Sequence, residues 1–163
     1  LRRRLRAVMA GFCHYLDRET SSRIDEAVVK AGMFENRPTA AQKRSLTRMD
    51  WQSRLYTLLR HPRRPKLYGG TFGIWRQDYE LVNGFNEDFT GWGCEDDEFR
   101  LRLTRAGIRL RSILRWTRTY HLWHPPVSSY PQHWQHGANV RKLYLESLRT
   151  SPRCAAGLQK PAA

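Results

Sequence analysis

The spacing of apolar positions changes several times along the chain, and each change marks an element. Residues 7–16, AVMAGFCHYL, are mostly apolar, which predicts a buried strand followed by a turn. Over residues 17–34 the period turns helical: Ile24, Val28 and Phe34 share one side, with Asp25 and Glu26 early in the run. A polar stretch opens at Asn36-Arg37-Pro38-Thr39. Trp51, Leu55, Leu58 and Leu59 then recur at helical spacing among Arg48, Arg54 and Arg60, up to His61-Pro62-Arg63-Arg64-Pro65. This predicts an amphipathic helix, packed on its own domain or laid on a membrane surface or partner. Leu67 to Trp75 read as loop and strand, with Gly69-Gly70 allowing close backbone approach. Arg76 to Asn83 read as a short helix stopped by Gly84, and Phe85 to Cys94 as a Gly- and Trp-rich loop. Glu95 to Ala106 form a helix with Phe99, Leu103 and Ala106 as its buried stripe, and Gly107 ends it. Ile108, Leu110, Ser112 and Leu114 alternate with Arg109, Arg111 and Ile113, as in a half-buried strand. A further strand is expected within Thr117 to Leu122, a last helix from Asn139 to Leu148, and a loose tail over 150–163.

These elements divide the chain into five regions: a strand and helix (1–35), a helical stretch (36–66), a motif-rich region (67–126), a helical segment (127–149) and the tail (150–163). With 163 residues the chain suits one domain around one core. Aromatics at 12% exclude a mainly disordered chain. No apolar run is long enough to span a bilayer. The chain starts at Leu1 rather than Met and so reads as the later part of something longer. Cys13, Cys94 and Cys154 fit neither a disulfide framework nor a Cys-x-x-Cys site, which favours a reducing compartment.

The formal charge of +14 invites a nucleic-acid reading, but no zinc-finger, RRM or KH signature supports it, and no nucleic-acid partner is expected. An anionic membrane surface or a diphosphate-bearing substrate is a more specific use of that charge. The acids are concentrated: eight of the 15 lie between Asp78 and Glu98. Three of them, Glu95, Asp96 and Asp97, stand in a row at a helix start, directly after Gly91-Trp92-Gly93-Cys94. Acids in a first turn suit the helix dipole and its unpaired N–H groups. Capping, however, needs neither three in succession nor a Gly-Trp-Gly before them. Like charges this close raise at least one pKa unless a cation intervenes, which is how a general base is made. Trp92 between two glycines offers a flat surface on a hinge, suited to stacking on a sugar ring.

In order along the chain stand Gly69-Gly70-Thr71-Phe72-Gly73-Ile74-Trp75-Arg76, Val82-Asn83-Gly84-Phe85-Asn86-Glu87-Asp88-Phe89, and Gly91-Trp92-Gly93-Cys94-Glu95-Asp96-Asp97-Glu98-Phe99 with Arg102-Leu103. This set resembles the C-terminal galactosyltransferase domain of β-1,4-galactosyltransferases, chondroitin-polymerase-type enzymes and many bacterial family 2 glycosyltransferases. The resemblance is strongest over 67–126; the stretch 36–66 has no matching motif. It implies an α/β fold, the C-terminal part of a Rossmann-like GT-A nucleotide-sugar transferase, with Mn²⁺ or Mg²⁺ as the usual cofactor. It implies Asp96 as the base that takes the acceptor proton, and Glu95 and Asp97 as acceptor-binding groups. Trp92 would close over donor and acceptor, and Gly69 and Gly70 would lie near the donor sugar. Cys94 stands where the galactosyltransferases carry Gly, and Thr71 where many bacterial relatives carry Asn. No Asp-x-Asp, the usual holder of metal and donor diphosphate, occurs in the chain; it is expected in a donor-binding half before Leu1, so the fragment alone is expected to be inactive.

Tyr120-His121-Leu122-Trp123-His124-Pro125 is the second constellation. Two His at i and i+3 after a strand can present imidazoles to a divalent ion. The segment is similar to one common in the bacterial relatives, and the resemblance favours His124 as the metal ligand, with His121 packing or hydrogen-bonding. The sequence thus points to the catalytic and acceptor-binding part of an inverting, metal-dependent glycosyltransferase. Its expected partners are a nucleotide-sugar donor such as a UDP-sugar and a glycan or lipid-linked glycan acceptor. The expected setting is bacterial surface polysaccharide synthesis, in the cytoplasm or peripherally at the inner face of the plasma membrane. The competing class is a non-catalytic carbohydrate-binding remnant or a basic adaptor.

Overall fold

A computed structural model describes residues 6–32, 39–61, 64–117, 119–125 and 137–160. The apolar run at 7–16 becomes two strands, β1 (Ala7–Ala10) and β2 (Cys13–Tyr15), rather than one strand and a turn. They belong to different small sheets. β1 is the centre of a three-stranded sheet, antiparallel to β3 (Phe72–Gly73) and parallel to β4 (Arg109–Ser112). β2 pairs in parallel with β5 (Thr119–His121). The molecule is thus mixed α/β. Both parallel pairs join chain segments far apart in sequence, which draws the motif-rich region 67–121 onto the N-terminal strands.

The helical period at 17–34 resolves into α1 (Arg18–Ser22) and α2 (Glu26–Lys30), not one helix. Asp25 is the reason: its carboxylate accepts the Val28 N–H at 2.8 Å and starts a new helix where continuation was expected. Phe34 lies outside the described residues.

The expected helix in 36–66 is present as α3 (Ala40–Leu58), opened by a capping box between Thr39 and Gln42. Its apolar stripe is not the side packed on this domain. Trp51 is 62% exposed and Leu58 79%, and Leu55 and Leu59 also face outward. The packed side carries Asp50 and Ser53. Asp50, wholly buried, accepts the Ser112 hydroxyl at 2.5 Å and the Arg54 Nε–H at 2.9 Å. The Thr57 hydroxyl donates to the Leu110 carbonyl at 3.1 Å. Polar side chains therefore fasten this helix to β4, and periodicity alone could not reveal that.

The core sits between the three-stranded sheet and α5 (Glu95–Arg105), with Tyr79 of α4 (Arg76–Leu81) packed against it. Val8, Ala10, Leu67, Val82, Phe99, Leu103, Ile108 and Leu110 form one buried cluster. Phe99 and Leu103 come from the stripe predicted for α5, and Ala106 packs at its edge. Phe85 stacks on Phe99 with ring centroids 4.5 Å apart. Arg102, as buried as these residues, forms a two-pronged pair with Glu98 at 2.6 and 2.7 Å and donates to the carbonyls of Val82 (2.5 Å) and Gly84 (2.7 Å). That network joins α5 to the Val82-Asn83-Gly84-Phe85 turn and leaves both buried charges with partners.

α6 (Ala138–Ser147) lies against α5 as the last expected helix. The described part of the segment after it, residues 150–160, is not a loose tail. Asn83 donates to the Cys154 carbonyl at 2.9 Å and the Gln159 carbonyl at 2.8 Å, and Cys154 is buried. Residues 150–160 clamp the turn that the Asn83-Gly84 pair makes, a role invisible to a reading of polarity.

Candidate functional site

The loop before α5 has an unusual backbone. Gly91, Gly93 and Cys94 all adopt positive φ, at 76°, 96° and 74°. Glycine fits the first two without penalty. Cys94 occupies the same region with a side chain, at a typical cost of about 1–2 kcal/mol. Cys94 is the N-cap of α5, and no side chain caps that end. Glu95, Asp96, Asp97 and Glu98 all stand in the first turn of α5, where their charges suit the helix dipole, but none of them is the N-cap residue. The Asp96 carboxylate turns away from its own helix, and its Oδ2 accepts the backbone N–H of Gly69 at 2.9 Å.

That bond joins two motifs 27 residues apart. A Cβ at Gly69 would stand 2.5 Å from Asp96 Oδ1, so any larger residue here displaces that carboxylate. A Cβ at Gly70 would meet nothing within 4 Å, so the two glycines differ in what they do. Thr71, next in the segment, shares a hydroxyl–hydroxyl hydrogen bond of 2.6 Å with Thr119 on β5. The Gly69-Gly70 segment is held to the acidic motif at one end and to the second sheet at the other.

The acids have distinct surroundings. Burial pushes the Asp96 carboxyl above its ordinary value; the Gly69 N–H pulls it back, and the charges of Glu95 and Asp97 push it further up. Glu95 Oε2 is buried without a hydrogen-bond partner among the described residues. Asp97 faces the Lys66 ammonium at 4.0 Å. The Cys94 thiol is also pushed up, by burial and then by Asp97 and Glu95, with Lys66 opposing, so it is a poor nucleophile.

Trp92 is 44% exposed, between the two positive-φ glycines. Its loop is not free to drift. Asn139, buried at the start of α6, donates through Nδ2 to the carbonyls of Thr90 (3.1 Å) and Trp92 (3.3 Å), and Lys142 donates to the Asp88 carbonyl. Lys66 and Asn139 escaped the sequence reading. A lysine before the Gly-Gly segment carried a weak signal, and a single asparagine at a helix start carried none.

His121 and His124 stand apart from this cluster. No hydrogen bond or ion pair among the described residues joins either to Glu95, Asp96 or Asp97. The Nδ1 of His121 lies 2.8 Å from the Leu122 carbonyl, that of His124 2.8 Å from the Pro125 carbonyl, and the two rings are 5.0 Å apart. Such a contact fixes the proton on Nδ1 and leaves Nε2 open as a ligand atom. His121 also packs against Tyr15 at 4.8 Å, while His124 is exposed. Among the described residues no group of three or more His, Cys, Asp or Glu could hold a metal ion. They do not by themselves fit the expected cation.

Residues 53–125 match the family model described as the N-terminal domain of galactosyltransferase. The similarity is to galactosyltransferases. That description corrects the reading of these motifs as the family's C-terminal domain. The match also starts earlier than expected, within the second half of α3, and it holds every candidate site residue from Gly69 to His124. The chain is 48% identical over 42 residues to β-1,4-galactosyltransferase 7 of Mus musculus, covering 26% of this chain and 13% of the relative. It is 38% identical over 48 residues to xylosylprotein 4-β-galactosyltransferase of Caenorhabditis elegans, 29% and 17% of the two chains. Against β-1,4-galactosyltransferase 4 of Rattus norvegicus it is 45% identical over 38 residues, 23% and 11%. The chain thus spans less than a fifth of each of these relatives. No solved structure matches it.

Proposed function

We propose that the chain is the catalytic and acceptor-binding part of an inverting glycosyltransferase that moves a sugar from a nucleotide-sugar, such as a UDP-sugar, to a hydroxyl of a glycan or lipid-linked glycan. The observation that carries this reading is the Gly69–Asp96 hydrogen bond, which sets the raised carboxylate of one motif against the glycine segment of the other. The match of residues 53–125 to galactosyltransferases supports the class of reaction.

Asp96 keeps Oδ2 on the Gly69 N–H, which leaves Oδ1 to accept the proton of the acceptor hydroxyl. As that proton moves to Asp96, the hydroxyl oxygen bonds to the anomeric carbon. The bond from that carbon to the donor diphosphate breaks, and its electron pair leaves with the nucleoside diphosphate. Attack opposite the leaving group inverts the anomeric centre in one displacement. Glu95 Oε2, buried and unpartnered, takes a sugar hydroxyl as its donor. Asp97, facing Lys66, orients the acceptor, and the Trp92 indole covers the sugar ring. Gly70 leaves open space on the donor side. A divalent cation, Mn²⁺ or Mg²⁺, would supply charge neutralisation of the diphosphate. Among the described residues, His124 is the one that would touch it, through Nε2.

The test is made on the full-length protein with a panel of UDP-sugars and oligosaccharide acceptors. Proton NMR reads the anomeric configuration of the product. UDP release coupled to a product of inverted configuration is expected. Retention would contradict the single displacement, and saturable sugar binding without transfer would favour the carbohydrate-binding reading.

A further inference from the structure

A cavity of about 310 Å³ opens where the C-terminal end of α3 meets α5 and β4. None of the candidate site residues above lines it. Its described walls carry four arginines, Arg60, Arg64, Arg100 and Arg109, and no carboxylate, over an apolar floor of Ile108 and Leu110.

Arg100 is the informative member. It is only 4% exposed, and its Nε is enclosed without a hydrogen-bond partner. Arg102, two residues on and equally buried, has Glu98 and two backbone carbonyls. One helix therefore buries two guanidinium groups, one with partners all round and one whose Nε has none among the described residues. A buried charge with an orphaned donor is costly unless something else completes it. Burial pushes the Arg100 guanidinium below its ordinary value; Asp97 works against that shift and Arg64 adds to it. Asp97 makes no ion pair with Arg100, so the cavity keeps its positive charge.

We infer that this cavity is a binding site for a phosphate-bearing anion, with Arg100 at its base and Arg60, Arg64 and Arg109 at its rim. Guanidinium forks match phosphate oxygens two at a time, and several converging forks favour a di- or polyphosphate over a single monoanion. The volume lies at the small end of ligand pockets, which fits a diphosphate-sized group. Such a group could come from a soluble molecule or from a lipid headgroup.

Two probes separate those sources in the full-length protein: inorganic pyrophosphate by titration calorimetry, and phosphatidylcholine vesicles with or without a polyprenyl diphosphate by co-sedimentation. The variants are Arg100→Met and Arg109→Ala, with Arg111→Ala as an exposed arginine outside the cavity. Arg109 is exposed, so its variant carries the test if Arg100→Met fails to fold. Both cavity variants are expected to bind at least one probe about 10- to 100-fold more weakly, as for loss of a charge-assisted hydrogen bond, while Arg111→Ala binds as wild type does. A loss confined to pyrophosphate assigns a soluble ligand, and one confined to the polyprenyl diphosphate vesicles a lipid headgroup. No binding of either probe, unchanged affinity in the cavity variants, or an equal loss in Arg111→Ala overturns the proposal.

Discussion

Replacing Gly69 by Ala probes the junction of the two motifs with one methyl group. The added Cβ would stand 2.5 Å from Asp96 Oδ1, 3.2 Å from Cγ and 3.3 Å from Oδ2, whereas ordinary contact begins at 3.4 Å. The carboxylate must retreat by about 0.9 Å, the difference between those contact distances. Gly69 does not have positive φ, so alanine suits its backbone and the fold has no reason to fail. A reacting group displaced by about 1 Å can lose about 10²-fold in rate, equivalent to about 2.7 kcal/mol of barrier. The stability cost is bounded by one exposed hydrogen bond, about 1 kcal/mol. Gly70→Ala is the matched control, because its Cβ meets nothing within 4 Å. The assay is kcat at saturating donor and acceptor, with thermal unfolding alongside. The expected result is a kcat near one hundredth of wild type for Gly69→Ala and within about threefold for Gly70→Ala, taking a factor of ten as 1.4 kcal/mol. Equal effects from the two substitutions would refute the argument from close approach.

Arg102→Met leaves Glu98 charged and buried and frees the Val82 and Gly84 carbonyls; unfolding in urea should show a loss of about 3–5 kcal/mol, recovered only in part in Glu98→Leu/Arg102→Met, where the two carbonyls still lack the guanidinium. A loss below about 1 kcal/mol would contradict the assignment of that network. The base must be ionised to act, and Asp96 is held above the ordinary carboxyl value of 3.8. kcat/KM should therefore fall on the acid side with its inflection above that value, and Asp97→Asn, by removing a negative neighbour, should move the inflection to lower pH. An inflection that stays in place would assign the limb to another group. His124→Ala should shift the midpoint of divalent-metal activation more than His121→Ala, since His121 is packed on Tyr15; equal midpoints for wild type and His124→Ala would remove His124 from that role.

The sequence made α5 legible because three independent signals agreed there: an acidic start, the Phe99–Leu103 stripe and the Gly107 stop. α3 shows what happens when a single signal is trusted. Its helical period was readable, but its burial was not, because Asp50, Ser53 and Thr57 hold it to β4 by hydrogen bonds while Trp51, Leu55 and Leu58 face outward. The split at Asp25 and the clamp of residues 150–160 on Asn83 were hidden for the same reason: side-chain-to-backbone bonds decide them, and these leave no periodic trace. In the candidate site the acids and the glycines were each visible as motifs. Their contact across 27 residues was not, nor was the Asn139 anchor of the Trp92 loop, since both depend on how distant segments meet.

Asp96→Asn in the full-length protein tests the central claim most directly. Asparagine keeps the shape and can still accept the Gly69 N–H through its amide oxygen, but it cannot take a proton from the acceptor. Thermal unfolding and donor affinity should stay near wild type, which separates chemistry from folding and binding. The account predicts a fall in kcat of about 10²–10⁴-fold, or roughly 3–5 kcal/mol of barrier. A kcat within a few-fold of wild type, with the fold and donor affinity intact, would contradict it.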